Sequence, residues 1–142
     1  MSASNKLSTA VKALCYLAKV YPESKSSAEI AEAIGVNASK LRQILSQLMQ
    51  SEIVYSTKGP TGGFLIAEDF TSLSLFEIYA ALDDRKIVEF DVADASGAKD
   101  NSVKAYNDYF NNLFGDIQHQ IEERMRSIKI EQIANSHESH KK

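Results

Sequence analysis

Lys58-Gly59-Pro60-Thr61-Gly62-Gly63-Phe64 is the stretch whose reading decides the fold. Three glycines within five positions permit positive φ angles and close backbone approach, Pro60 stiffens the loop, and Lys58 stands at its base. The flanks are β-prone: Ile53-Val54-Tyr55-Ser56-Thr57 and Phe64-Leu65-Ile66-Ala67 are rich in β-branched and aromatic residues. Two short strands joined by a bare, cationic tip are expected. Such a hairpin suits a DNA groove as a wing; an ordinary hairpin whose glycines serve only the turn is the alternative.

Working upstream, Ser26 to Gln50 carries helix signals in the order a helix-turn-helix needs. Ser26 and Glu29 have the spacing of a capping box, and Ile30, Ala31 and Ile34 form the apolar side of the helix that follows. Gly35 suits the left-handed residue that ends this helix, and Asn37 suits the N-cap of the next, leaving a turn of about three residues. In the second helix Leu41, Ile44, Leu45, Leu48 and Met49 share one stripe, which puts Ser39, Lys40, Arg42, Gln43, Ser46 and Gln47 on the other face. That face holds donors and two cations and no carboxylate. Amides and hydroxyls can bond base edges, and Lys or Arg can reach guanine or phosphate, so the face has the composition of a recognition helix, with a solvated polar face as the bland alternative.

The sequences Ala28 to Val36, Leu41 to Leu48 and Lys58 to Ala67 together resemble the Rrf2 family of bacterial regulators. The likeness reaches back to Leu7 to Leu14 and forward to Leu73 to Ile78, over roughly the first 83 residues, with the G-P-x-G-G wing as its most specific part. The resemblance implies a homodimeric transcription factor, a repressor, with its third helix in the major groove and its wing in the minor groove. The implied DNA contacts are Ser39, Lys40, Arg42, Gln43 and Gln47 in the helix and Lys58, Gly59, Pro60, Thr61 and Gly62 in the wing, and Ser8 and Thr9 of the first helix are placed to reach phosphate. Lys40 and Lys58 depart from the aromatic and arginine frequent in the family, so operator sequence does not carry over. Glu52 stands where many members have glycine.

Several members of that family bind an iron-sulfur cluster through three cysteines in the segment corresponding to Asp84 to Ser102. This chain has one cysteine, Cys15, and a cluster needs several thiolate or comparable ligands, so no cofactor is expected and the likeness is to the cluster-free branch. Cys15 lies at helical spacing with Leu7, Val11 and Ala18, which reads as a small buried hydrophobe; a redox-sensing thiol is the other reading, with Lys12 and Lys19 the only cations nearby in sequence.

The 142 residues, 44% hydrophobic, carry a net charge of −3, which sits oddly with DNA binding until it is divided. Residues 1–67 hold seven Lys or Arg against four Asp or Glu, and residues 68–142 hold nine against fifteen, so the half with the helix-turn-helix is the basic one. With no secretory segment and no long apolar run, a cytoplasmic protein without membrane contact is expected.

The remaining elements follow from periodicity and breakers. A first helix is expected from Asn5 to Tyr21, stopped by Pro22, with Leu7, Val11, Leu14 and Leu17 inward. A short helix from Ser74 to Leu82, capped by Ser72 or Ser74, closes a winged helix-turn-helix domain over residues 1–83. Residues 84–101 read as a hinge with a short strand at Ile87 to Phe90, and its Asp91, Asp94 and Asp100 match no calcium loop. From Ser102 the residues Val103, Tyr106, Phe110, Leu113, Ile117, Ile121, Met125 and Ile128 recur at three- and four-residue intervals, widened by Tyr109 and Phe114. This seam over residues 102–134, closed by a turn at Ile130 and Ile133, wants a partner helix. A second copy gives a symmetric dimer on a pseudo-palindromic operator; packing on the chain's own first helix is the alternative. The tail, residues 135–142, is expected to be disordered.

The fold class is therefore mainly α with a small β-hairpin wing and a long dimerisation helix. No catalytic constellation is present in the sequence, so an enzyme is not expected. A small-molecule effector or a partner protein is the expected signal. A winged-helix protein-interaction module and a Cys15-dependent redox regulator remain as alternative functions.

Overall fold

The computed structural model describes residues 3–82 and 92–137. Six α-helices and a two-stranded hairpin follow in the order α1 (Ala3–Val20), α2 (Ser27–Ile34), α3 (Ala38–Gln50), β1 (Val54–Thr57), β2 (Gly63–Ile66), α4 (Leu75–Leu82), α5 (Ser102–Arg126) and α6 (Ile130–Ala134), with one 3-10 turn at Phe70–Ser72. The strand expected at 87–90 lies outside the described residues, as do 83–91 and 138–142 in general. Of the expected tail, Asn135 to His137 form a short turn against α6, with the His137 ring Nδ1 2.8 Å from the Ala134 carbonyl.

Local chemistry sets the helix ends. The Ser26 hydroxyl accepts from the Glu29 amide at 3.1 Å while the Glu29 carboxylate accepts from the Ser26 amide at 3.2 Å, a complete capping box. Gly35 closes α2 at φ 73° and ψ 41°, where a side chain would be strained, and its amide donates to the Ala31 carbonyl. Asn37 then caps α3, its Oδ1 accepting from the amides of Ser39 and Lys40 at 2.9 and 3.2 Å. For α4 the cap is Ser74, whose hydroxyl accepts from the Glu77 amide while its own amide donates to the Glu77 carboxylate.

One core holds these elements together. Leu14 and Leu17 of α1, Ile30 of α2, and Leu41, Ile44, Leu45 and Leu48 of α3 are buried with Ile78 of α4 and Ile130 of α6. Full burial of such side chains stabilises by roughly 1.5–3 kcal/mol each, which makes this cluster the dominant favourable contribution to the fold. Met49, counted in the apolar stripe of α3, is 36% exposed instead.

The long helix docks differently from either expectation for its full length. Its C-terminal half packs on α4, with the Arg126 guanidinium 3.9 Å from the Phe76 ring centroid, while α6 packs on α1. Backbone bonds fix the corner between α5 and α6: Leu75 donates to the Ile128 carbonyl and Ile130 to the Leu73 carbonyl, both at 2.8 Å. Met125, placed on the dimer seam by its spacing, is accordingly buried within its own protomer. At the other end Tyr106, Tyr109 and Phe110 are 57%, 66% and 44% exposed, and Phe110 stacks on Phe114 at 5.6 Å. No described helix is long and apolar enough to cross a membrane.

Candidate nucleic-acid interface

The surface of interest is built by α3 and the hairpin. α3 is packed on its inner side by α1, α2, α4 and β1, which leaves Ser39, Lys40, Arg42, Gln43 and Ser46 pointing outward and exposed. A polar groove of about 540 Å³ runs along this face, between Arg42, Gln43 and Ser46 on one side and Lys6 of α1 on the other. Lys6 thus joins the cationic surface although nothing in its sequence surroundings singles it out.

Two residues expected to meet DNA are placed otherwise. Thr9 is 6% exposed, between Leu7 and the fully buried Ala10, on the side of α1 that faces the core. Ser8 beside it is exposed, with its hydroxyl donating to the Asn5 carbonyl at 3.1 Å. Gln47 is half-buried, and its side-chain amide donates to the Leu82 carbonyl, tying α3 to the last residue of α4. That bond satisfies one of the carbonyls a helix C-terminus leaves without an intrahelical partner.

The hairpin is an antiparallel pair with Val54 opposite Ile66 and Thr57 opposite Gly63. Its glycines have different tasks. Gly59 alone of the three adopts a positive φ, 102°. At Gly62 a Cβ would stand 2.5 Å from the Thr57 carbonyl oxygen, and at Gly63 it would stand 2.4 Å from the Lys25 carbonyl group. Gly63 is small because the chain before α2 crosses there: Lys25 and Phe64 exchange backbone bonds of 3.1 and 2.7 Å. Higher on the wing the Ser24 hydroxyl donates to the Thr61 carbonyl at 3.0 Å, and the Gly63 amide donates to the Thr57 hydroxyl at 2.9 Å. The wing and the helix-turn-helix therefore share one support, the segment Ser24 to Ser26. Lys58, Gly59, Pro60 and Thr61 are left exposed at the tip.

Glu52 lies at the bend between α3 and β1 with φ 59°, a left-handed conformation that a side chain adopts at some strain. The bend is held by the amides of Glu52 and Ile53, which donate to the carbonyls of Met49 and Leu48, both at 3.0 Å.

The residues expected to dimerise divide into three sets. Tyr106 and Phe110 present an open aromatic surface, Leu113, Ile117 and Ile121 are half-buried, and Met125 is withdrawn into the protomer. Cys15 is half-buried, and burial pushes its thiol above the ordinary range, which lowers the thiolate fraction that redox sensing needs. Of the hinge acids, Asp94 accepts from the Ser96 hydroxyl and amide, which hold its carboxyl below the usual range, and Asp100 accepts from the Ser102 amide at 2.8 Å. Asp91 is outside the described residues.

Residues 3–136 match the family described as "Rrf2: Iron-dependent Transcriptional regulator". Among individual proteins, the HTH-type transcriptional regulator IscR of Escherichia coli is 37% identical over 57 residues, which is 40% of this chain and 35% of that relative's length. The fold is similar to that of T. potens IscR, with a TM-score of 0.72 and 22% identity over 96% of this chain and 88% of the other. It is also similar to CymR, the global cysteine regulator of B. subtilis, with a TM-score of 0.68 and 21% identity over 92% and 93% of the two chains. At these identities the solved structures speak for the fold alone.

The donor set does not fit an iron-sulfur cluster. Cys15 is the single cysteine of the chain, it sits half-buried in the middle of α1, and its thiol is disfavoured as a thiolate. Among the described residues no group of three or more His, Cys, Asp or Glu is gathered closely enough to hold a metal ion.

Proposed function

The chain belongs to the Rrf2 family of transcriptional regulators, and we propose that it acts as a cytoplasmic homodimer that binds a pseudo-palindromic DNA operator and represses transcription. The observation that carries this reading is the outer face of α3: Ser39, Lys40, Arg42, Gln43 and Ser46 stand exposed without a carboxylate among them, beside a wing whose cationic tip is braced to the same support. In this reading α3 enters the major groove, where Arg42 and Gln43 reach base edges and Lys40 reaches phosphate. The wing follows the backbone into the minor groove, with Lys58 against phosphate.

The aromatic surface of Tyr106, Tyr109 and Phe110 supports the dimer, because a second α5 would remove these rings from water and set the two heads on one side of the pair. The protein has no role as an enzyme here, and its signal is a small molecule or a partner protein acting on the relative placement of the heads.

The test is binding of the purified protein to its own upstream genomic DNA against a scrambled duplex, by fluorescence anisotropy at two salt concentrations, with the free protein sized in parallel. Two phosphate-facing cations per head, Lys40 and Lys58, doubled, make about four phosphate contacts and a slope of log K on log salt of about −3.6. A dimer with that dependence and a preference for the upstream DNA supports the reading; equal binding of both duplexes at either salt speaks against it.

A further inference from the structure

Away from the DNA-facing surface, an opening of about 640 Å³ lies between α1 and α6, within the range of small-molecule sites. Its floor is apolar, made by Cys15, Tyr16, Phe70 and Ile133, and small residues, Ala18 and Ala134, leave the space open. Two cationic or protonatable groups, Lys19 and His137, stand at its exposed rim with one acid, Glu131. The His137 Nδ1 is engaged with the Ala134 carbonyl, which directs Nε2 away from that bond.

Resting on the regulator reading above, we propose that this cavity is the seat of the signal and takes a small apolar molecule carrying one anionic group. The apolar body would lie on Tyr16, Phe70 and Ile133, and the anion would meet the Lys19 ammonium. The position suits a switch. α1 packs against α3, whereas α6 is separated from the long helix α5 by three residues and is bonded to the strand-like segment before α4. A molecule wedged between α1 and α6 therefore bears on the DNA-reading helix and on the end of the long helix at once. It can bias the heads only through different affinities for their two placements.

The probe is 3-phenylpropionate, with 3-phenylpropanamide as its uncharged counterpart, titrated into the full-length ¹⁵N-labelled protein while DNA affinity is measured on the same samples. At the affinity per atom usual for small ligands, a dissociation constant on the order of 1 mM is expected. The amide should bind several-fold more weakly, and amide shifts should be confined to residues around 15–19 and 130–137. Ala134→Phe, which fills the cavity, should abolish the shifts; Lys19→Glu, on the exposed rim and without risk to the core, should weaken the acid about fivefold and leave the amide unaffected. Since Cys15 is the only cysteine, its alkylation by iodoacetamide should slow when the acid is present. No shifts at 10 mM, shifts elsewhere, or equal binding of acid and amide would overturn the site. Binding that leaves DNA affinity unchanged would overturn its role as the signal, whereas a protein that binds DNA neither with nor without the probe would overturn the regulator reading while leaving the cavity result intact.

Discussion

Replacing Gly63 by alanine separates the two reasons for glycine in the wing. The backbone angle at Gly63 is open to any residue, so the effect is steric: the new methyl would stand 2.4 Å from the Lys25 carbonyl group and 2.8 Å from the Ser26 nitrogen, all backbone atoms that cannot swing aside. Either strand β2 or the segment before α2 must move. Loss of the two Lys25–Phe64 bonds costs about 1 kcal/mol each and the residual crowding about 1–2 more, giving roughly 3 kcal/mol in total. For a chain of this size that lowers Tm by about 6–12 °C. Gly59→Ala is the counterpart, since its Cβ would meet nothing within 4 Å and the cost, about 1–2 kcal/mol, comes from φ 102° alone. Lys25→Ala should leave stability unchanged, because the contact is made by its backbone. Urea and thermal unfolding of the three variants test the order Gly63, then Gly59, then Lys25. A Gly63→Ala protein within 0.5 kcal/mol of the parent, or one more stable than Gly59→Ala, would refute the account of the wing's anchorage.

Arg42→Ala should weaken operator binding by about 1–3 kcal/mol with no change in Tm, read by anisotropy and thermal melting together. Lys58→Ala should make the salt slope of the dimer shallower by about 2, one phosphate contact per head. Phe110→Asp should give folded monomers at micromolar concentration, whereas Met125→Asp, on the same stripe, should unfold the protomer; sizing and circular dichroism distinguish the two. Cys15 should react with iodoacetamide more slowly than a free thiol at pH 8. Because its folded-state pKa lies above the unfolded one, the associated stability is present below the unfolded value and is lost as pH rises through the folded value, so alkaline titration should destabilise the wild type more than Cys15→Ala.

What could be read in the sequence is what short-range chemistry decides. Ser26 with Glu29, Gly35 and Asn37 are each settled by neighbours within four residues, and all three stand where their residue types place them. The wing was legible as a turn for the same reason, but the reason for Gly63 was not, since its constraint comes from Lys25, far away along the chain. Periodicity likewise found the stripe of α5 without dividing it. Phe110 and Met125 lie on one apolar stripe, and the placement of α4 leaves the first open and buries the second. Thr9 and Gln47 show the same limit: each is polar and lies near a DNA-facing residue in sequence, yet one turns toward the core and the other is claimed by the end of α4.

Selection of binding sequences from a random duplex pool by the purified full-length protein tests the central claim most directly. Enrichment of one pseudo-palindrome, with half-sites about one helical turn apart, is the predicted result, and it should vanish with Arg42→Ala and lose its two-fold symmetry with Phe110→Asp. A pool that stays random through repeated rounds, or enrichment that survives Arg42→Ala unchanged, would contradict the assignment of α3 and the wing to DNA.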